Sequence, residues 1–212
     1  MYNVTVLMAL TDFIPVALFA VTMVLLQRDL YNKMPKYAFA CFAAGTIDAF
    51  VAGFLKALWK LLYAAGVCDF HVLNTMFLPT QSLGLLLAGL GIVLMFCGRK
   101  RSAALAAAPP LFTGTFLFVG MMVLGLGALC ASLSVLAVKM RKKGLVPVFI
   151  LCFFCYMAMG YLASRDSASA AVNWAEQGVN TLGQALLLAG ALVLHRAGLR
   201  EYRLPEKTGA AV

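Results

Sequence analysis

The sequence predicts an all-α integral membrane protein of seven transmembrane helices, N-terminus out and C-terminus in, with a 3+1+3 parallel repeat. Composition, the placing of the basic residues and a recurring motif carry this reading. Of 212 residues, 63% are hydrophobic and 12% charged, against about 45–50% and about 25% in soluble domains. Mean hydropathy is +0.93. A soluble globule of this size could not cover its surface with so few polar groups. The net charge of +9 falls in short clusters between apolar runs, which fits anchorage beside anionic lipid rather than nucleic acid. Of six cysteines, only Cys68 lies in a polar connection, so no disulfide framework is expected. Met1-Tyr2-Asn3 offers neither a basic region nor a cleavage site, so the first apolar run is expected to stay as a helix.

About 20 apolar residues cross a hydrocarbon core. Runs at about 4–26, 37–63, 72–97, 145–163 and 171–194 meet that length. The apolar stretch from Ser102 to Val138 is too long for one ordinary span and tight for two. Charge decides its count. Basic clusters stand at Arg28/Lys33/Lys36, Arg99/Lys100/Arg101, Lys139/Arg141/Lys142/Lys143 and Arg196/Arg200/Arg203/Lys207. The other connections carry at most Arg165. The positive-inside rule puts every basic cluster in the cytoplasm, which requires an even number of crossings between the second and third. Two short helices with a turn near Gly114 to Gly120 satisfy this, and Pro109-Pro110 interrupts the first of them. A re-entrant loop over 102–118 is the other arrangement. The division is then 1–98 as the first three-helix repeat, 99–119 as a linker helix, 120–195 as the second repeat and 196–212 as a basic cytoplasmic tail.

The repeat rests on polar matches. LNTMFLPTQSLG at 73–84 parallels VNWAEQGVNTLG at 172–183, a separation of 99 residues. Asn74 falls on Asn173, Gln81 on Asn180, Ser82 on Thr181, and Leu83-Gly84 on Leu182-Gly183. AGFL at 52–55 resembles MGYL at 159–162. Leucine bias alone does not align amides. Two like-oriented triplets joined by a linker helix resemble the architecture of SWEET-type and PQ-loop transporters, which implies a substrate site at the repeat interface. The motifs of those families are not reproduced: Pro15 has no counterpart in the fifth span, and the nearest string to their Pro-Gln pair is Pro79-Thr80-Gln81. Seven helices also resemble the rhodopsins, but the seventh span has no lysine to hold retinal.

Ionisable side chains within spans cost ~2.5–3.5 kcal/mol each and usually face a cavity or the bundle interior. Asp12, Lys56 and Glu176 are expected at one depth, roughly 10 Å below the outer surface by helical rise, with the lysine between the two acids. Asp48 is expected near the midplane, at the floor of that site. Lys60, a turn further out, is expected to reach the interface beside an anchoring Trp59. In the seventh span Asn173, Gln177, Asn180 and Gln184 share one face, an amide stripe about 16 Å long. Such a stripe suits an uncharged polar path or ligand, and Asn74 and Gln81 extend it into the first repeat. Trp174 adds a ring for stacking.

The remaining motifs point to packing. Cys152-x-x-Cys155 lies in an apolar helix and reads as core. Gly125-Leu126-Gly127 lacks the strand and turn of a nucleotide site. His71 and His195 fall at opposite ends, so no metal site is expected, and no cofactor. The expected function is a small multi-pass transporter for a small polar solute, with a coupling proton carried by Asp12, Asp48 or Glu176. The substrate-binding set is Asp12, Asp48, Lys56, Asn74, Gln81, Trp174, Glu176, Gln177, Asn180 and Gln184. An accessory or sensory subunit of a larger complex and an intramembrane lipid-modifying enzyme are the other readings, the latter without a visible catalytic set. The expected partners are the lipid bilayer and the solute; the sequence leaves room for a homo-oligomer or a partner membrane protein. The expected location is the cytoplasmic membrane of a bacterium.

Overall fold

The structure is a computed structural model that describes residues 5–96, 115–163 and 170–203. All of its regular elements there are helical: α1 (Val6–Thr11), α2 (Phe13–Leu30), a 3-10 turn (Tyr31–Lys33), α3 (Lys36–Ala64), α4 (His71–Thr75), α5 (Phe77–Leu94), α6 (Thr115–Lys139), α7 (Leu145–Ala163) and α8 (Ala170–Arg196). Five helical stretches are long and apolar enough to cross a membrane, and Leu145–Met159 is a shorter apolar one. Large apolar side chains point outward, among them Leu7 at 65%, Val24 at 68%, Leu124 at 68% and Phe154 at 60% exposure. Water would penalise such a surface by ~25 cal/mol per Å², whereas lipid does not, so the chain reads as an all-α membrane protein.

Two prolines explain two breaks. Pro15 has no N–H to offer the carbonyl four residues back, and its ring crowds that carbonyl. That carbonyl belongs to Thr11, where α1 ends. Pro79 acts in the same way on Thr75, where α4 ends and α5 begins two residues later. The first span is therefore α1 plus α2, and the third is α4 plus α5, each broken near the same end of the bundle.

Among the described residues the long helices close into a ring in the order α2, α3, α5, α6, α7, α8 and back to α2. Contacts fix their directions. Asp12 meets Lys60 and Gln27 meets Thr46, so α2 and α3 are antiparallel. Gly45 abuts Gly84 and Ala88 while Gly91 abuts Ala38 and Phe42, so α3 and α5 are antiparallel. The α7–α8 pair is antiparallel too, with Gly183 on Cys155 and Tyr156, and Gly190 on Phe149. The α5–α6 pair runs the other way. Gly89 meets Gly125, and seven residues on from Gly89 the Phe96 ring lies 5.1 Å from the Lys139 ammonium. Those helices are parallel. The end of α5 and the start of α6 therefore lie at opposite ends of the ring.

The connection between α5 and α6 contains the expected linker helix, the Pro109-Pro110 interruption, the cluster Arg99 to Arg101 and the alternative re-entrant segment. All of these lie outside the described residues, apart from the end of the linker at Thr115 and beyond. There the structure differs from the sequence reading. Helix α6 starts at Thr115 and passes Gly120 unbroken, so no turn occupies 115–120 and the boundary at residue 120 falls inside a helix. Gly120 lies inside α6, and among the described residues nothing lies within 4 Å of the place its Cβ would take. A helix tolerates a glycine in such an open position at a cost of about 1 kcal/mol.

Candidate functional site

Inside the ring, toward the end where α1 and α4 break away, is a cavity of about 80 Å³. That is room for a few waters or a compact polar molecule. Five elements wall it: α2 with Pro15, Val16 and Phe19; α3 with Lys56 and Lys60; α5 with Phe77 and Gln81; α7 with Tyr156; and α8 with Glu176, Gln177, Asn180 and Gln184. Asp12, at the proline-induced break, completes the wall.

Several buried polar atoms on this wall have no hydrogen-bond partner among the described residues: Gln81 Oε1, Tyr156 OH, Gln177 Nε2 and Gln184 Oε1. Tyr156, Gln177 and Gln184 are each buried. A buried polar group without a partner costs about 1–3 kcal/mol, and these four face one space. Such a wall is matched by water or by a ligand that supplies donors and acceptors together.

The charges are arranged differently from expectation. Lys60, not Lys56, holds Asp12, with Nζ 2.7 Å from Oδ2. Both side chains are mostly buried, so Lys60 is not a free interfacial anchor. Asp12 stands at the junction of α1 and α2, and from there its carboxylate meets the lysine one turn nearer the end of α3. Trp59 is no anchor either. It is 2% exposed and donates Nε1–H to Asp69 Oδ1 at 2.9 Å. Lys56 points its ammonium over the Phe77 ring, 4.0 Å from the centroid, a cation–π contact. Lys60, Glu176 and Asp12 are the charges that act on it. Among the described residues neither Lys56 nor Glu176 makes an ion pair.

Of the expected set, Asp12, Lys56, Gln81, Glu176, Gln177, Asn180 and Gln184 come together here, while Asp48, Asn74 and Trp174 do not line the cavity. Asp48 lies about 80° round α3 from Lys56 and about 120° from Lys60, on the flank away from the cavity, so it is not its floor. Trp174 is 43% exposed, about 90° round α8 from the centre of the amide stripe. Asn74 belongs to the short α4, beyond the break that starts α5 at Phe77. Asn173, at the start of the amide stripe, is likewise not among the lining side chains.

Sequence reasoning missed Tyr156, Lys60 and Phe77. Tyr156 and Tyr161 lie five residues apart in an apolar helix, about 140° round it from one another, and leave no periodic signal. The similarity of AGFL to MGYL held the one clue, since that register sets Tyr156 over Ala49, and both line the cavity. The cysteines beside it are core, as their apolar setting implied: Cys152 is fully buried and its thiol donates to the Gly183 carbonyl at 3.3 Å.

A second polar cluster went unread. At the opposite end of the ring, Asp29 is 1% exposed. Its Oδ2 lies 2.7 Å from His195 Nδ1, and Arg28 reaches His195 Nε2 at 3.0 Å. Lys33 donates to the Arg200 carbonyl at 2.8 Å. These contacts tie α2 to α8 at the basic end. Among the described residues no three metal-ligating side chains converge. Comparison of the chain with protein-family models, curated proteins and solved structures finds no match.

Proposed function

We propose that the chain is a small seven-span transporter, built of two three-helix units, that passes a small polar solute through this cavity. The observation that carries the reading is the origin of the wall. Phe77, Gln81 and Leu85 of α5 stand at the same register as Glu176, Asn180 and Gln184 of α8, and all of them line one cavity. The glycine seams support the same pairing. Gly84 packs on α3 and its counterpart Gly183 on α7; Gly91 packs on Phe42, and Gly190, 99 residues further on, packs on Phe149. The neighbour order of the ring is unchanged when α2, α3 and α5 are exchanged for α6, α7 and α8. A parallel duplication about an axis along the membrane normal has this property, and transporters built so carry their site at the repeat interface.

Seven crossings are supported by the parallel run of α5 and α6, which asks the intervening chain to return across the bundle. The basic residues Arg28, Lys33, Lys139, Arg141, Arg196 and Arg200 gather at the end away from the cavity, which supports a cavity opening outward. The three carboxylates considered for the site are no longer equivalent. Asp48 lies off the cavity and Asp12 is paired, so Glu176 is the one left to meet a solute or a proton.

Two measurements follow. A membrane-impermeant thiol reagent applied to intact cells is expected to label Cys68, which sits between α3 and α4 at the cavity end; a cysteine at Lys142 is expected to stay unlabelled. Labelling of the Lys142 position alone contradicts the orientation. Purified protein in liposomes is expected to take up a small polar solute, and Gln177→Leu with Gln184→Leu to reduce uptake at least tenfold. The absence of uptake across a broad solute panel, from protein shown to be folded, contradicts the transporter reading.

A further inference from the structure

The cavity offers two charges of opposite sign, neither of them in an ion pair among the described residues, and we propose that it binds a small zwitterion, its carboxylate held by Lys56 and its ammonium by Glu176. The inference rests on the reading of this cavity as a solute site and names the chemistry of the solute. Lys60 and Asp12 answer one another at 2.7 Å. That leaves Lys56, whose ammonium stands over the Phe77 ring and makes no ion pair among the described residues, and Glu176, which makes none there either and acts on Lys56 only as a nearby charge. Both line the same small space. A charge held away from water without a partner is costly, and a ligand carrying both signs relieves the two together.

The sum of charge selects among ligands. Two lysines and two acids on the wall give a neutral cavity. A lone anion satisfies Lys56 and leaves Glu176 bare; a lone cation does the reverse. Each also brings net charge into a low-dielectric space. A zwitterion brings none. The amides then meet the rest of it: Gln81 Oε1 and Gln184 Oε1 accept, and Gln177 Nε2 donates, each without a hydrogen-bond partner among the described residues. An ammonium and a carboxylate need acceptors and donors of this kind. The volume of about 80 Å³ confines the ligand to the smallest members of the class.

Four compounds of nearly equal size separate the possibilities: glycine with both charges, glycinamide with the positive one, glycolate with the negative one, and glycolamide with neither. Binding to the purified full chain is measured by equilibrium dialysis at pH 6.5, where the amines are protonated, and uptake into liposomes is measured beside it. Glycine is expected to bind at least tenfold more tightly than each of the other three. Lys56→Met is expected to erase the preference for glycine over glycinamide, and Glu176→Gln the preference for glycine over glycolate. Glycine bound no better than glycolamide by the unaltered protein overturns the proposal, whether or not the variants fold. So do folded variants that keep both preferences. Glycine binding without uptake upholds the zwitterion site and overturns the transporter; uptake of glycolamide or of one ion, with no preference for glycine, does the opposite.

Discussion

Lys60→Met is expected to lower stability by roughly 3 kcal/mol, and the double variant Asp12→Asn/Lys60→Met to recover most of that. Removing one partner of a buried ion pair leaves an uncompensated charge and costs about 3–5 kcal/mol. The side chains of Lys60 and Asp12 are 19% and 11% exposed, which places the effect near the lower end. The two single variants should not be equal. Without Asp12, the long Lys60 side chain can turn toward the membrane surface. Without Lys60, the short Asp12 carboxylate has nowhere to go, and Asp12→Asn is therefore the milder change. Thermal unfolding of the purified protein in detergent reads this as a fall of about 10 °C for Lys60→Met. Equal, additive losses in the singles and the double would mean that the pair contributes nothing.

Gly125→Val is expected to prevent assembly of the bundle altogether. A Cβ there would overlap the main chain of Leu85 and Leu86 in α5, and main chain has no alternative rotamer to adopt. Gly84→Val should act similarly, since a Cβ at Gly84 would stand 2.6 Å from Ala49 N in α3. Overpacking usually costs about 1–3 kcal/mol where side chains can shift; here whole helices must separate. Gly120→Ala and Gly178→Ala meet nothing within 4 Å among the described residues and should leave yield and elution unchanged. Size-exclusion profiles of the four variants test the contrast. Monodisperse protein from Gly125→Val would mean that the α5–α6 approach is not as close as described.

What the sequence disclosed and what it hid follow from the range of each effect. Apolar runs read as membrane helices because hydropathy is summed over many residues and tolerates local error. The breaks after Thr11 and Thr75 were also within reach, because Pro15 and Pro79 each act four residues upstream. The amide face of α8 was legible because a period of 3.6 residues repeats along it. Pairing was not. Lys56 and Lys60 lie one turn apart on one face, and counting residues from an assumed surface cannot separate them. Which of the two meets Asp12 depends on how α2 and α3 sit against one another, and that is visible only in three dimensions. Asp48 shows the same limit. Its depth was estimated from residue number, but its direction around α3 carried it off the wall. The cluster of Asp29 with His195 joins residues from opposite ends of the chain, and no local pattern announces such a contact.

The two halves of the ring are closed by unlike materials. Between α3 and α5, backbone rests on backbone at Gly45, Gly84 and Gly91. Between α7 and α8, the equivalent places are filled by the rings of Tyr156 and Phe149 set against Gly183 and Gly190. A joint of main chain has no torsions to spend and behaves as a stiff plate. A joint of aromatic rings can shear by changing χ angles, each change small and local. Mechanical compliance is therefore concentrated in the second half, and Tyr156, whose hydroxyl faces the cavity, sits within it.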